Sequence, residues 1–236
     1  MTTTVFENRS EAGKRLAGEL SAYGGREDVV VLGLPRGGVV VAYEVALALE
    51  APLDLFMVRK LGVPSRPEVA LGAIATGDVQ FLNYELLEVL GLSAQTLASL
   101  IVREKRELAR CERAYRERRE ALPIAGCAVI LVDDGVATGS SVSAAVEALR
   151  MHRAARIVVA IPVGAEPACD KLRNKVDELV CLVEPETFQS VGEWYEDFDQ
   201  VTDREVRQLL RRARELRIVA AHESSPASVD YLDRAS

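Results

Sequence analysis

The stretch Val132-Asp133-Asp134-Gly135-Val136-Ala137-Thr138-Gly139-Ser140-Ser141 gathers two acids, two glycines and three hydroxyls within ten residues. An apolar run, Ala128–Val132, leads into it, and Val142, Ala145, Val146 and Leu149 follow at helical spacing. That pattern places the acids at the end of a strand and the hydroxyls at the start of a helix. Free N–H groups and the dipole at a helix N-terminus favour phosphate, and Gly139 lets the backbone come close. The carboxylates repel a phosphate but accept hydrogen bonds from sugar hydroxyls, or face a metal. A ligand with a phosphate at one end and a diol at the other satisfies both halves, as a ribose 5-phosphate does.

A second set lies upstream. Leu34-Pro35-Arg36-Gly37-Gly38 breaks the apolar run Val29–Leu34 and opens another helix, with Ala42, Val45, Ala46 and Leu49 on one stripe. Its glycines allow backbone N–H groups to point inward, and Arg36 can fork onto phosphate oxygens. Leu53–Val58 reads as a second strand running into Arg59-Lys60, and Leu61–Val69, with Gly62, Pro64 and Pro67, reads as a loop.

The segment Ile130–Ser141 resembles the signature of the type I phosphoribosyltransferases: a hydrophobic strand, two acids, a few mixed residues, then Thr-Gly and small hydroxylic residues. The resemblance implies 5-phosphoribosyl 1-pyrophosphate (PRPP) as ligand, with magnesium as cofactor. It implies that Val136, Ala137, Thr138, Gly139, Ser140 and Ser141 hold the 5-phosphate. Asp133 and Asp134 would take the ribose hydroxyls and act as indirect magnesium ligands. Arg36, Gly37, Gly38, Arg59 and Lys60 would take the pyrophosphate, and the loop after Lys60 would close over the site. The implied reaction passes 5-phosphoribose to a nitrogenous base or amine and releases pyrophosphate, with Asp133, Asp134, Arg59 and Lys60 as catalytic groups. A PRPP- or nucleotide-sensing regulator on the same fold is the alternative. A phosphosugar hydrolase would need a base or metal cluster that the sequence does not supply.

The acceptor is less legible. Residues 188–198 hold four of the twelve aromatics, and Phe188, Val191-Gly192 and Trp194 loosely resemble the base-stacking hood of purine-salvage members. Packing of the C-terminal segment onto the core explains these residues equally well. The 6-oxopurine enzymes carry a third acid immediately before Thr-Gly, where this chain has Ala137. They also use a lysine just past the next strand, where Ile161-Pro162-Val163-Gly164 stands here. Both departures disfavour hypoxanthine and guanine.

The elements that must position these groups alternate. Ser10–Tyr23 reads as a short helix, Leu71–Ala75 and Val79–Leu82 as a hairpin around Thr76-Gly77-Asp78, and Tyr84–Gly91 as a short helix. Ser93 caps a long helix to about Arg119, with Leu97, Ile101, Leu108, Cys111 and Tyr115 on one stripe. Thr138–Met151 and Glu166–Lys175 read as helices, Arg156–Val163 and Glu178–Val183 as strands. Thr202 and Glu205 form a capping box for a helix to Leu216. The fold class is therefore α/β, a mostly parallel central sheet flanked by helices, with ligands beyond the C-terminal strand ends. The expected division is a core over 1–183 that includes a helical insert at 84–119, a C-terminal hood and helix over 184–221, and a disordered tail over 222–236.

Bulk properties narrow the function classes. The 236 residues are 49% hydrophobic and 28% charged, with a formal net charge of −7. An acidic balance argues against nucleic acid and anionic membrane as partners. Residues 103–120 mix eight basic with five acidic side chains, the pattern of a solvated helix face. The four cysteines, Cys111, Cys127, Cys169 and Cys181, form no C-x-x-C pair, so they read as small buried hydrophobes and not as a zinc or disulfide framework. The N-terminus lacks a signal peptide's apolar run, and no apolar stretch nears the ~20 residues that span a bilayer. A cytoplasmic homodimer is expected.

Overall fold

The two all-apolar runs that precede the glycine loop and the acid pair lie side by side. In the computed structural model, which describes residues 6–63, 66–117 and 119–223, β1 (Val29–Gly33) and β6 (Ala128–Val132) are buried at every position. They pair in parallel from Val29 opposite Ala128 to Gly33 opposite Val132. β2 (Leu53–Leu55) flanks β1, and β7 (Arg156–Val163) and β8 (Glu178–Val183) extend the other edge, giving a parallel sheet in the order β2-β1-β6-β7-β8.

Strand alternation explains why such runs are apolar throughout. Val29, Val31, Ile130 and Val158 face α1 (Arg9–Glu19), α2 (Gly37–Ala48) and α7 (Asp203–Glu223), packing with Leu16, Val45 and Leu210. Val30, Leu32, Leu131 and Val159 face α5 (Ser140–Met151) and α6 (Glu166–Arg173), packing with Val142, Leu149 and Leu172. The mostly parallel sheet covered on both faces is the expected fold class.

A second sheet departs from the sequence reading. The single strand predicted over Leu53–Val58 is two. Phe56 N–H still donates to Gly33 C=O at 3.0 Å, but Met57 turns to Thr76 through two hydrogen bonds, N–H to Oγ1 at 2.8 Å and C=O from the Thr76 N–H at 2.9 Å. The chain therefore changes sheets at Met57. β3 (Val58–Val63), β4 (Arg66–Ala75) and β5 (Val79–Leu82) form an antiparallel sheet in that order. The predicted loop over 61–69 is thus largely strand, with register shifts on either side of Gly62. Buried Leu61 and Leu71 supply the apolar face that keeps it paired, and the shifts tolerate glycine and proline.

α3 (Tyr84–Leu90) and α4 (Ala94–Arg116) cover this sheet, with Leu100 and Leu108 on Leu61, Leu71 and Ile74. Ser93 caps α4 as expected, its side chain accepting from Thr96 N–H at 3.1 Å. The buried stripe differs: it runs through Leu100, Glu104, Leu108, Tyr115 and Arg116. The cause is a charge pair that apolar periodicity cannot see. Arg116 Nε donates to Asp54 Oδ1 at 3.0 Å, with side chains 5% and 9% exposed. The Asp54 carboxylate also accepts the Leu122 N–H. This network fastens α4 to β2.

The capping box at Thr202 and Glu205 is present, with Glu205 N–H to Thr202 Oγ1 at 3.2 Å and Thr202 N–H to Glu205 Oε2 at 2.7 Å. α7 runs to Glu223 and so passes the predicted end at Leu216. The tail after Glu223 lies outside the described residues. Among the described residues, no helix is long and apolar enough to cross a membrane.

Candidate active site

The C-terminal ends of β1 and β6 bring the two predicted loops into contact. Leu34 N–H donates to Val132 C=O at 2.9 Å, so the turn after β1 starts against the end of β6. The Pro35–Arg36 peptide there is cis. A Cβ on Gly37 would lie 1.8 Å from Asp134 Oδ2, and one on Gly38 would lie 2.8 Å from both Asp133 Cα and Val132 O. The glycines are required because the acid pair occupies the space that side chains would need.

Both acids are half-buried. Burial and the neighbouring charge of Asp134 push the Asp133 carboxyl well above the usual carboxylate range, against the lowering effects of Asp134 N–H and Arg9. That N–H donates to Asp133 Oδ1 at 3.0 Å. Asp134 has a partner that the sequence did not suggest: Arg9 Nε donates to its Oδ2 at 2.7 Å. Arg9 is fixed in turn by a hydrogen bond to Asp199 C=O at 2.9 Å, and its guanidinium carbon lies 3.7 Å from the Phe198 ring centroid. Tyr195 OH donates to the Asp134 C=O at 2.6 Å. Arg9 carried no local signal, since its partner is 125 residues away. Tyr195 fell inside the aromatic segment but not among its named candidates.

The turn after the acids is pinned before it reaches the helix. Val136 N–H donates to Val163 C=O at 2.9 Å, and its C=O accepts from Ala165 N–H at 2.8 Å. Val136 therefore anchors the loop with its own polar groups already paired, and Ala137 and Thr138 beyond it are exposed. Helix α5 begins at Ser140, two residues later than predicted, because Gly139 adopts the left-handed conformation (φ 72°) and caps it. Thr138 Oγ1 and Ser140 Oγ lie 3.0 Å apart. The first-turn N–H groups of α5 have no intrahelical acceptors and face the same edge.

The basic residues divide. Lys60 Nζ hydrogen-bonds Ser140 Oγ, so β3 delivers one cation to the start of α5. Arg59 points the other way along the strand, and its Nε donates to Glu104 Oε2 on α4 at 2.7 Å. Burial raises the Glu104 carboxyl, but Arg59 and Arg103 outweigh it and hold the group below the usual range. Arg36, at the start of α2, is 41% exposed, with Nη1 3.9 Å from Asp203 Oδ1.

The hood meets the site through Val191, whose Cγ1 lies 2.5 Å from where a Gly135 Cβ would stand. Trp194 is 8% exposed in a cluster with Phe6, Ala12, Val163 and Tyr195, and Phe188 is half-buried at its edge. The indole is packing material in this arrangement.

An acid pair under a helix N-terminus, with a glycine turn pressed against it at the head of a parallel sheet, is the architecture of a phosphoribosyl transferase domain. The model of that domain family matches residues 3–197, and the chain belongs to the family. It is 42% identical over 209 residues to proteins of two Mycobacterium tuberculosis strains (CDC 1551 / Oshkosh and H37Rv) that bear phosphoribosyl transferase names. That match covers 89% of this chain and 47% of theirs, so the chain spans about half the length of the curated relatives it matches. The crystal structure of TT1426 from Thermus thermophilus is 41% identical, with a TM-score of 0.79, over 88% of this chain and 98% of that one.

Proposed function

We propose that the protein transfers 5-phosphoribose from PRPP to a nitrogenous base or amine and releases pyrophosphate. One observation carries this reading: Gly37 and Gly38 lie against Asp133 and Asp134, while Lys60 meets Ser140 at the start of α5. Groups suited to a sugar, a phosphate and a pyrophosphate therefore converge on one sheet edge.

The N–H groups of α5 and the hydroxyls of Thr138, Ser140 and Ser141 hold the 5-phosphate. Asp133 and Asp134 accept from the ribose hydroxyls and offset positive charge that develops on the ring as the C1–O bond breaks. Arg9 orients Asp134 and removes part of the repulsion between the acids. The N–H groups of the Gly37-Gly38 turn, with Arg36 and Lys60, take the pyrophosphate. No covalent enzyme nucleophile is required, so positioning supplies much of the rate.

The acid pair fits magnesium. That ion takes oxygen donors, commonly one or two carboxylates plus substrate phosphates; Asp133 Oδ1 borders the Gly38 backbone and Arg9 orients Asp134. Asp133 and Asp134 would hold it indirectly. When bound, magnesium offsets charge on the departing pyrophosphate. Ala137, in place of a third acid, directs the acceptor away from 6-oxopurines.

The test is pyrophosphate release from PRPP and magnesium with a panel of bases and amines. Release with one acceptor supports the transferase. Tight PRPP binding without release for any acceptor supports the sensor reading instead, and absence of PRPP binding refutes both. Asp133→Asn with Asp134→Asn abolishes PRPP binding while circular dichroism reports an intact fold.

Asp133 also sets a pH dependence with two opposite signs. PRPP binding, measured by calorimetry, strengthens as pH rises through its raised pKa, because the carboxylate is the better acceptor. Stability falls over the same window, because the folded state holds that proton longer than the unfolded chain. Asp133→Asn therefore melts higher than the parent at neutral pH. A lower Tm at neutral pH contradicts the assigned environment.

A further inference from the structure

Two cysteines twelve positions apart, on a helix and the strand that follows it, meet beside Gly164. Cys169 on α6 and Cys181 on β8 place their sulfurs 4.0 Å apart. The Glu184 carboxylate, one residue past β8, joins them, and the three ligand atoms all lie within 4.8 Å of one another. Cys169 is fully buried, Cys181 is partly buried and the Glu184 side chain is 24% exposed, so the cluster opens to solvent at the carboxylate.

The spacing discriminates between two chemistries. A disulfide requires sulfurs about 2.05 Å apart. Two thiolates on one tetrahedral zinc, with Zn–S about 2.3 Å, stand about 3.8 Å apart. The observed separation is close to the second. The floor of the cluster is Gly164, where a Cβ would lie 2.5 Å from Cys169 Sγ and 3.5 Å from Cys181 Sγ. Space for the sulfurs thus depends on the absence of a side chain. Glu184 accepts from Arg173, which also donates to Asp170 Oδ1 at 2.8 Å. An outer partner of that kind fixes a carboxylate ligand and offsets the charge of the set.

We propose that Cys169, Cys181 and Glu184 bind one thiophilic divalent cation of the zinc class, with solvent at the fourth position. The ion fastens α6 to the end of β8. It sits beside Gly164, which bridges Val136 at the foot of the phosphate turn. Thiols must lose their protons to bind a dication, so binding releases protons.

The experiment titrates the reduced, metal-free full chain with cadmium and follows the ultraviolet thiolate-to-cadmium band. One equivalent saturates the band and protects two of the four cysteines from an aromatic disulfide reagent. Cys169→Ser and Cys181→Ser each lose the saturable band. Glu184→Gln, which keeps both sulfurs and is the milder change for folding, weakens binding about tenfold or more. The Cys111→Ser/Cys127→Ser variant binds like the parent. Excess zinc competes with cadmium for the site, and zinc alone raises the Tm of the parent but not of Cys181→Ser. An unchanged band in the Cys169→Ser/Cys181→Ser variant overturns the proposal. So does unchanged affinity in Glu184→Gln, or peroxide oxidation of the pair to a disulfide at the same rate with and without cadmium.

Discussion

The parallel sheet and the three-stranded sheet contribute to the candidate site in different ways. At the edge of the parallel sheet, the contributing groups are turns: Gly37-Gly38 pressed against Asp133 and Asp134, and Gly139 turning into α5. Their geometry follows from backbone that side chains must stay clear of. The three-stranded sheet contributes through one projecting side chain, Lys60, which reaches Ser140. Its neighbour Arg59 faces Glu104 on α4. Two adjacent cations on a strand serve opposite faces, because successive side chains alternate. The first region builds a site from loops; the second must be held at the right distance for one lysine to arrive.

What holds it there is the Arg116–Asp54 network between α4 and β2. Arg116→Ala leaves the Asp54 carboxylate buried without its cation and costs about 3–5 kcal/mol in denaturant unfolding. A loss below about 1 kcal/mol means that the two regions are joined mainly by apolar packing, through Val58, Ala75 and Val79, which pack in the cluster that holds α5.

A smaller effect separates the two cations. Lys60→Ala weakens PRPP binding about tenfold or more, the scale of one charge-assisted hydrogen bond. Arg59→Ala changes affinity less and instead loosens α4, by about 1 kcal/mol or less for a partly exposed pair. Calorimetry and unfolding on both variants decide between these roles. Equal losses of affinity assign Arg59 to the pyrophosphate as well, and the division of the strand's two faces fails.

The smallest change tests the hood. Tyr195→Phe removes the hydrogen bond to the Asp134 carbonyl and costs about 0.5–1.5 kcal/mol of stability. A Tm unchanged from the parent means that Phe6, Trp194 and Val163 alone dock this segment.

Much of this was legible in the residues. The runs Val29–Leu34 and Ala128–Val132 read as strands buried on both faces, since they are short, rich in β-branched residues and interrupted by no polar position. The Ser93 cap and the Thr202–Glu205 box were local and therefore readable. The segment Val132–Ser141 announced its chemistry because acids, glycine and hydroxyls there are contiguous. Local patterns misled where a second chain segment intervened. The run Leu53–Val58 looked continuous, yet Thr76 captures Met57 and splits it. The stripe on α4 was counted from apolar residues, yet Glu104 and Arg116 are buried because Arg59 and Asp54 meet them.

The sequence by itself determined the α/β class, the place of the acids at a strand end and the presence of a helix after them, though not its first residue. Each rests on spacing along one stretch of chain. Tertiary structure alone decided that Arg9 clamps Asp134, that Lys60 and not Arg59 meets Ser140, that Trp194 is buried, and that Cys169 and Cys181 converge. These are contacts between residues tens to more than a hundred positions apart, save for the two cysteines twelve apart that a helix and a strand fold together. Periodicity carries information only within an element. Which elements become neighbours is fixed by the joint burial of their faces, and no single stretch of chain contains that.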